Sequence, residues 1–249
     1  MTPADLQQHL PEWQQTVAHH TPEQLLQWAS HTFPGHLTFA TSLGAEDQVL
    51  THMLATAALP IPLFTLDTGR LFPQIYDLIA ETQARYNLTI RIMFPDTTHV
   101  EQMVAEHGIN LFRNSVDLRR TCCGIRKLEP LRRAFQGHHA WITGLRRDQS
   151  ITRTDTAAVE WDETNQLIKI SPLYNWTNDQ VWAYIHEHNV PYNPLHDEGF
   201  LSIGCACCTR AVQPGEDIRA GRWWWETPDK KECGLHFKDG KLVRGPAPK

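Results

Sequence analysis

The six cysteines of this chain are unevenly distributed. Cys122 and Cys123 are adjacent, Cys205, Cys207 and Cys208 fall within Cys-Ala-Cys-Cys, and Cys233 stands alone in Lys-Glu-Cys-Gly-Leu-His. That division suggests four sulfurs for a metal centre and one thiolate for chemistry. A Cys-x-x-Cys spacing lets two side chains reach one centre from a single turn, and the distant Cys-Cys pair can supply the other half once the chain folds back. Four thiolates can hold either zinc or an iron–sulfur cluster. Adjacent cysteines favour the cluster, because neighbouring sulfurs can bind different iron corners, whereas around one ion they must share a centre. Cys233 follows Lys230 and Lys231, and neighbouring cations favour a thiolate.

A second concentration of chemistry is cationic. Ten Lys and Arg residues lie between Arg113 and Arg153, opposed there only by Asp117, Glu129 and Asp148, while the whole chain carries a net charge of -5. An acidic protein with one basic segment points to a small anionic ligand, not to bulk attraction to nucleic acid or an anionic membrane. Any one of these arginines, taken alone, also fits a solvated helix face. The amino terminus has no apolar signal core, and no run approaches the roughly 18 apolar residues that span a bilayer. A cytoplasmic location is therefore expected. In that reducing compartment cysteines serve metal binding or catalysis rather than disulfides.

These side chains need a scaffold. The chain has 249 residues, 41% hydrophobic and 20% charged, an ordinary globular composition. Residues 1–31 read as a helical lead, 32–210 as an α/β domain and 211–249 as a tail or flap anchored by Trp223-Trp224-Trp225. Four apolar runs read as buried strands, at 36–40, 61–66, 88–94 and 140–143. Helical patterns separate them near 46–58, 73–86, 98–107 and 124–136. A hairpin is expected from 158–161 and 167–170, and a helix start at Thr177. Strand alternating with helix predicts an α/β fold, a parallel sheet flanked by helices, with its ligand crevice beyond the carboxyl ends of the strands.

Three loops fall at that edge. Thr41-Ser42-Leu43-Gly44-Ala45-Glu46-Asp47 leads into a helix and offers backbone N–H groups to a phosphate. Asp67-Thr68-Gly69-Arg70 follows the second strand, and the segment from Gly144 to Arg153, with Arg146, follows the fourth. Each loop alone is often just a turn. Together they predict a nucleotide crevice.

At this point the motifs become specific. Ser-Leu-Gly-Ala-Glu-Asp-Gln at 42–48, Leu-Asp-Thr-Gly-Arg at 66–70, Cys-Cys-Gly-Ile-Arg-Lys at 122–127, Gly-Cys-Ala-Cys-Cys-Thr at 204–209 and Glu-Cys-Gly-Leu-His at 232–236 resemble the assimilatory sulfonucleotide reductases. They are most similar to the iron–sulfur adenylyl-sulfate (APS) reductases, over about residues 36–240. The resemblance implies an adenine-nucleotide alpha-hydrolase-like fold of the pyrophosphatase-loop type with a mobile C-terminal tail. The loop at 42–47 departs from the usual Ser-Gly-Gly-x-Asp-Ser of that fold, which suits a nucleotide bound without ATP cleavage.

The resemblance also implies roles. Cys122, Cys123, Cys205 and Cys208 would ligate a [4Fe–4S] cluster, and Cys233 would be the nucleophile. Cys207 stands where the family more often has proline, as a spare thiol or a competitor for the fourth corner. Substrate contacts are expected from Ser42, Leu43, Gly44, Asp67, Thr68, Gly69, Lys127, Arg146, Arg153, Arg219, Arg222 and His236. The substrate would be adenosine 5′-phosphosulfate, the intermediate a cysteine S-sulfonate, the products sulfite and AMP. A lone tail cysteine needs an external thiol, and the family implies thioredoxin, with glutaredoxin as an alternative. The family is often homo-oligomeric. Competing readings are a reductase of the 3′-phosphorylated substrate (PAPS), disfavoured because those relatives typically lack the cluster cysteines; an ATP-dependent tRNA sulfurtransferase, disfavoured by the altered loop and acidic charge; and a metal-containing regulatory module that binds nucleic acid.

Overall fold

The computed structural model describes residues 1–149 and 154–227. Two helices come first, α1 (Pro3–Thr16) and α2 (Pro22–Thr32). Each opens on a threonine whose side chain accepts from the third helical residue while that residue's side chain reaches back, with proline at the start. This arrangement satisfies N–H groups that the helix itself leaves orphaned. Leu6, Val17, Leu25, Leu26 and Phe33 are buried in the same core as the sheet, so the helical lead packs directly on the α/β unit.

The sheet then builds from β1 (Leu37–Ala40), α3 (Ala45–Thr56), β2 (Leu63–Leu66), α4 (Pro73–Tyr86), β3 (Ile90–Met93), α5 (Thr97–His107), α6 (Val116–Cys123), α7 (Glu129–Phe135) and β4 (Ala140–Ile142). The hairpin β5 (Val159–Asp162) and β6 (Leu167–Ile170) and the helix α8 (Asn178–Glu187) follow. The strand order is β3-β2-β1-β4-β6-β5. All neighbours are parallel except β5, which runs antiparallel to β6. The sheet is thus mixed and mostly parallel.

That order fixes where a ligand can sit. After β1 the chain winds outward through β2 to β3, then returns to place β4 on the other side of β1. The loops after β1 and β4 therefore diverge to opposite faces and leave a crevice between them at the carboxyl edge. Phe39, Val49, Leu50, Leu78 and Ile142 are buried on one side of the sheet, and Phe64, Leu131, Phe135 and Trp141 form a second buried cluster.

One element escaped the sequence pattern. Helix α6, Val-Asp-Leu-Arg-Arg-Thr-Cys-Cys, is amphipathic but has few apolar residues, so no hydrophobic stripe announces it. Ser115 caps it, accepting from the Leu118 N–H at 3.1 Å. It runs directly into a wider turn, Gly124–Leu128, closed when the Glu129 N–H donates to the Gly124 carbonyl five residues back. Such π-type turns recur at functional sites. The single helix expected at 124–136 is therefore this turn followed by α7.

Candidate active site

A cleft of about 270 Å³ lies at the carboxyl edge, lined among others by Ser42, Gly44, Thr68, Thr143, Gly144 and Ile203. Its floor is stapled by one carboxylate. Asp47 Oδ2 accepts from the Ser42 N–H at 2.6 Å and the Ser42 hydroxyl at 2.7 Å, and its Oδ1 accepts from the Gly144 N–H at 3.1 Å. Burial pushes the Asp47 carboxyl up to about 6, against the pull of those hydrogen bonds. The loops after β1 and β4 thus share one buried acceptor. Gly144 is required there, because a Cβ would overlap the Asp47 carboxylate.

Beside this staple, Glu46 Oε1 accepts from Arg146 Nε at 2.9 Å and from Gln149 Nε2 at 2.8 Å. Arg146 is fully buried and also donates to the Trp176 carbonyl. On the β2 side, Asp67 accepts from the Gly69 N–H at 2.7 Å and from the Tyr76 hydroxyl at 3.0 Å. Gly69 takes a positive φ of 69° in that turn, a conformation glycine adopts without steric cost.

The cleft also has a cationic part, with Lys127, Arg219 and Arg222 on its wall. Gly204 makes room for the Arg222 guanidinium, which a Cβ would overlap. Lys127, Arg222 and Cys205 are shared with a second, much smaller cavity of about 20 Å³. All five described cysteines line this pocket, with Arg70, Phe112, Arg119, Arg126 and Trp223, and none of them forms a disulfide. No three His, Cys, Asp or Glu side chains among the described residues converge as a single-ion site. The five thiols line one small cavity.

Residues far apart in sequence close the pocket. The Thr68 hydroxyl meets Cys205 Sγ at 3.3 Å, and Arg126 donates to the Thr68 carbonyl at 2.7 Å. The segment after Cys208 folds back in register: Arg210 N–H donates to the Gly221 carbonyl and Trp223 N–H to the Cys208 carbonyl. Trp223 is 1% exposed, held between the Arg119 and Arg222 guanidinium groups, each 4.7 Å from its ring. Arg119 in turn forms a two-pronged ion pair with Glu226, at 3.0 and 2.8 Å. Burial pushes the Cys122 thiol up, opposed by Arg126. The Cys207 and Cys208 sulfurs are 3.7 Å apart, and the hydrogen bond between them pulls the Cys207 thiol down and pushes the Cys208 thiol up.

Residues 36–211 match the family model of the phosphoadenosine phosphosulfate reductase domain. The protein named adenosine 5′-phosphosulfate reductase from Allochromatium vinosum is 52% identical, over 82% of this chain and 79% of its own length. Its namesake from Burkholderia cepacia is 51% identical, over 80% of each. The chain belongs to this reductase family. A solved structure of phosphoadenylyl-sulfate (PAPS) reductase from Candida auris, a phosphate complex, is 35% identical with a TM-score of 0.71, covering 83% of this chain and 97% of that one. The FMN adenylyltransferase of Candida glabrata, at 16% identity and a TM-score of 0.53 over 98% of this chain and 77% of its own, shares the fold. That pair of likenesses agrees with the expected adenine-nucleotide alpha-hydrolase-like architecture.

Within this reductase, the residues expected at the site separate into groups. Ser42, Gly44, Thr68, Lys127, Arg219 and Arg222 line the cleft, and Cys122, Cys123, Cys205 and Cys208 meet in one pocket with Cys207. Leu43, Asp67, Gly69 and Arg146 are not on the cleft wall. Leu43 is buried beneath the loop with a φ of 58°, Asp67 and Gly69 shape the β2 turn, and the Arg146 guanidinium is committed to Glu46 and the Trp176 carbonyl. Arg153, Cys233 and His236 lie outside the described residues. Glu46, Asp47, Gln149 and His196 also line the cleft and were not singled out as contacts. The first two stand inside the quoted loop motif, so a carboxylate beside a phosphate-type loop was the available signal. His196, one of 14 histidines, has none.

Proposed function

We propose that this chain reduces adenosine 5′-phosphosulfate to sulfite and AMP in sulfate assimilation, through an S-sulfonate on Cys233 and with thioredoxin as the reductant. The observation that carries the reading is the shared wall: Lys127, Arg222 and Cys205 line both the nucleotide cleft and the cysteine pocket. An anionic group at the end of a bound nucleotide meets its counter-charges there, beside the thiols.

The residues of the pocket fit an iron–sulfur cluster. Five thiols line one cavity, five cationic side chains (Arg70, Arg119, Arg126, Lys127 and Arg222) balance thiolate charge, and the buried Trp223 Nε1 has no hydrogen-bond partner among the described residues. Cys122, Cys123, Cys205 and Cys208 would hold a [4Fe–4S] cluster, with Cys207, less buried than Cys208, as the spare thiol. When bound, the cluster supplies a rigid cross-link and a fixed local field; the thiols account for both electrons.

The chemistry then belongs to side chains. Lys127, Arg219 and Arg222 neutralise the oxygens that shield the sulfate sulfur and stabilise charge moving to the departing phosphate. The Cys233 thiolate attacks that sulfur, its S–S bond forms as the S–O bond to phosphate breaks, and AMP leaves. A thioredoxin thiolate next attacks Cys233 Sγ and expels sulfite. Its second thiol resolves the mixed disulfide, so two thiols are oxidised as sulfur falls from +6 to +4. Glutaredoxin would fill the same role, and a reducing cytoplasm supplies either. Among the described residues no helix is long and apolar enough to cross a membrane.

Intact-mass analysis tests the reading. Anaerobic holoprotein mixed with adenosine 5′-phosphosulfate should gain an SO3-sized adduct that thioredoxin removes and that Cys233→Ser never forms. Sulfite production undiminished in Cys233→Ser would overturn it.

A further inference from the structure

We infer that Cys207 is a reserve ligand for the cluster corner assigned to Cys208, so that either thiol carries that corner and the loss of one leaves the cluster in place. The inference rests on the iron–sulfur reading above and deepens it.

Five thiols line the small cavity, and a four-iron cluster takes four. Which one is left over follows from spacing. Cys207 Sγ and Cys208 Sγ are 3.7 Å apart. Metal–thiolate bonds of about 2.3 Å in tetrahedral geometry put two sulfurs on one metal about 3.8 Å apart. The pair therefore reaches one metal position. An iron that already carries three sulfides of its cluster accepts a single thiolate, so Cys207 and Cys208 are alternatives there and not partners. Thiolates on separate irons point away from one another and lie farther apart.

The backbone holds both thiols at that position. The Ala206 N–H donates to the Arg70 carbonyl at 2.8 Å, the Cys208 N–H to the Cys205 carbonyl at 2.9 Å and the Trp223 N–H to the Cys208 carbonyl at 3.1 Å. The Thr209 hydroxyl donates to the same Cys205 carbonyl at 3.0 Å. The turn is thus clamped on both sides of Cys207, and an exchange needs only side-chain rotation between staggered positions. No electron moves: the entering thiol gives up its proton as its sulfur binds, and the leaving sulfur takes one up. Arg70, Arg126 and Lys127 line the same cavity, so the charge of a bound thiolate is balanced whichever sulfur carries it. Cys208 is buried and Cys207 half-buried. The resident ligand is therefore the shielded one, and the reserve is the one that solvent reaches.

The test is iron retention in the anaerobically purified full chain. Wild type, Cys207→Ala and Cys208→Ala should each hold about four irons per chain, and the Cys207→Ala/Cys208→Ala double variant about three or fewer, with a three-iron signal in electron paramagnetic resonance after mild oxidation. Brief alkylation of the native proteins, followed by peptide mass mapping, separates ligand from bystander. Cys207 should react in wild type and at least about tenfold more slowly in Cys208→Ala, where its sulfur is bound. Iron lost from Cys208→Ala as completely as from the double variant, failure of both Cys208→Ala and Cys208→Ser to fold, or unchanged alkylation of Cys207 would overturn the inference. So would iron retained in full by the double variant, because another thiol would then fill the corner, or iron lost from Cys207→Ala alone, because Cys207 would then be the sole ligand. Each of these outcomes leaves the iron of wild type in place. Wild type without iron would instead remove the cluster reading, and this inference with it.

Discussion

The two cavities of this molecule are built in opposite ways. The nucleotide cleft is a product of topology: the connections leaving the paired strands β1 and β4 diverge, and short loops close the edge. Its shape rests on backbone groups gathered by one carboxylate, Asp47. The cysteine pocket has no such frame. It is assembled by side chains from α6, the 205–208 turn and the strap at 219–226, which meet only because the chain folds back on itself. A cleft made by the sheet tolerates local change, whereas a pocket made by distant side chains depends on each tie. The shared wall of Lys127, Arg222 and Cys205 passes any slackness in the second on to the first.

The largest expected effect follows from the tie between α6 and the strap. Arg119 and Glu226 are 1% and 4% exposed. Removing one partner of a buried pair strands the other, at about 3–5 kcal/mol. Glu226→Ala should therefore lower unfolding stability by that amount in denaturant titration and weaken nucleotide binding as well, since Trp223 and Arg222 follow the strap. Replacing both partners with methionine should recover much of the stability. Equal stability of Glu226→Ala and wild type would show that the pocket does not need this tie.

Next comes the shared wall. Lys127→Ala removes a positive charge from both cavities. Loss of one preorganised electrostatic group costs about 10²-fold or more in turnover. We expect that fall in kcat for sulfite release, with folding stability nearly unchanged. A change confined to KM would mean that Lys127 contributes to uniform binding only.

How much of this was legible beforehand depends on the kind of order involved. The strand runs, the hairpin, helix α4 at its observed bounds and the nucleotide-edge loops all follow from local periodicity and turn chemistry. The grouping of Cys122-Cys123 with the 205–208 turn followed from residue type alone. Helix α6 was not legible, because half of its eight residues are polar or charged and only Val116, Leu118 and the two cysteines mark its apolar side. Nor was the strap: Trp223 read as an anchor, but nothing local pairs Glu226 with Arg119, more than a hundred positions earlier. Arg146 shows the converse. An arginine at a strand end suggests anion binding, and only its surroundings reveal that Glu46 and the Trp176 carbonyl take up its guanidinium.

The cleft's own tie should respond to pH. Asp47 ionises near 6 when folded and near 3.8 when unfolded. Between those values the folded state holds the proton more tightly, so stability from this group is full below the unfolded value. It is lost as pH rises through the folded one, by about 3 kcal/mol in total. Urea titrations of wild type and Asp47→Asn from pH 4 to 7 isolate it: the difference between the two should change by that amount across the window. A constant difference would mean that the Ser42 and Gly144 hydrogen bonds fully offset burial of the charge.

The smallest effect separates the ion pair that ties the strap from one in the segment just before it. Arg210 holds Glu216 at 2.8 Å through two nitrogens, a geometry as good as that of Arg119 and Glu226, but both side chains are 33% exposed. Water already solvates each charge there, so such a pair contributes little, and salt screens it. Glu216→Gln should therefore shift the denaturation midpoint only slightly, and less still at high salt. If this exposed pair mattered as much as the buried one, the strap would be held by charge attraction at its surface. A small, salt-sensitive change would instead assign its hold on the cysteine pocket to the desolvated Arg119–Glu226 tie and the packing of Trp223.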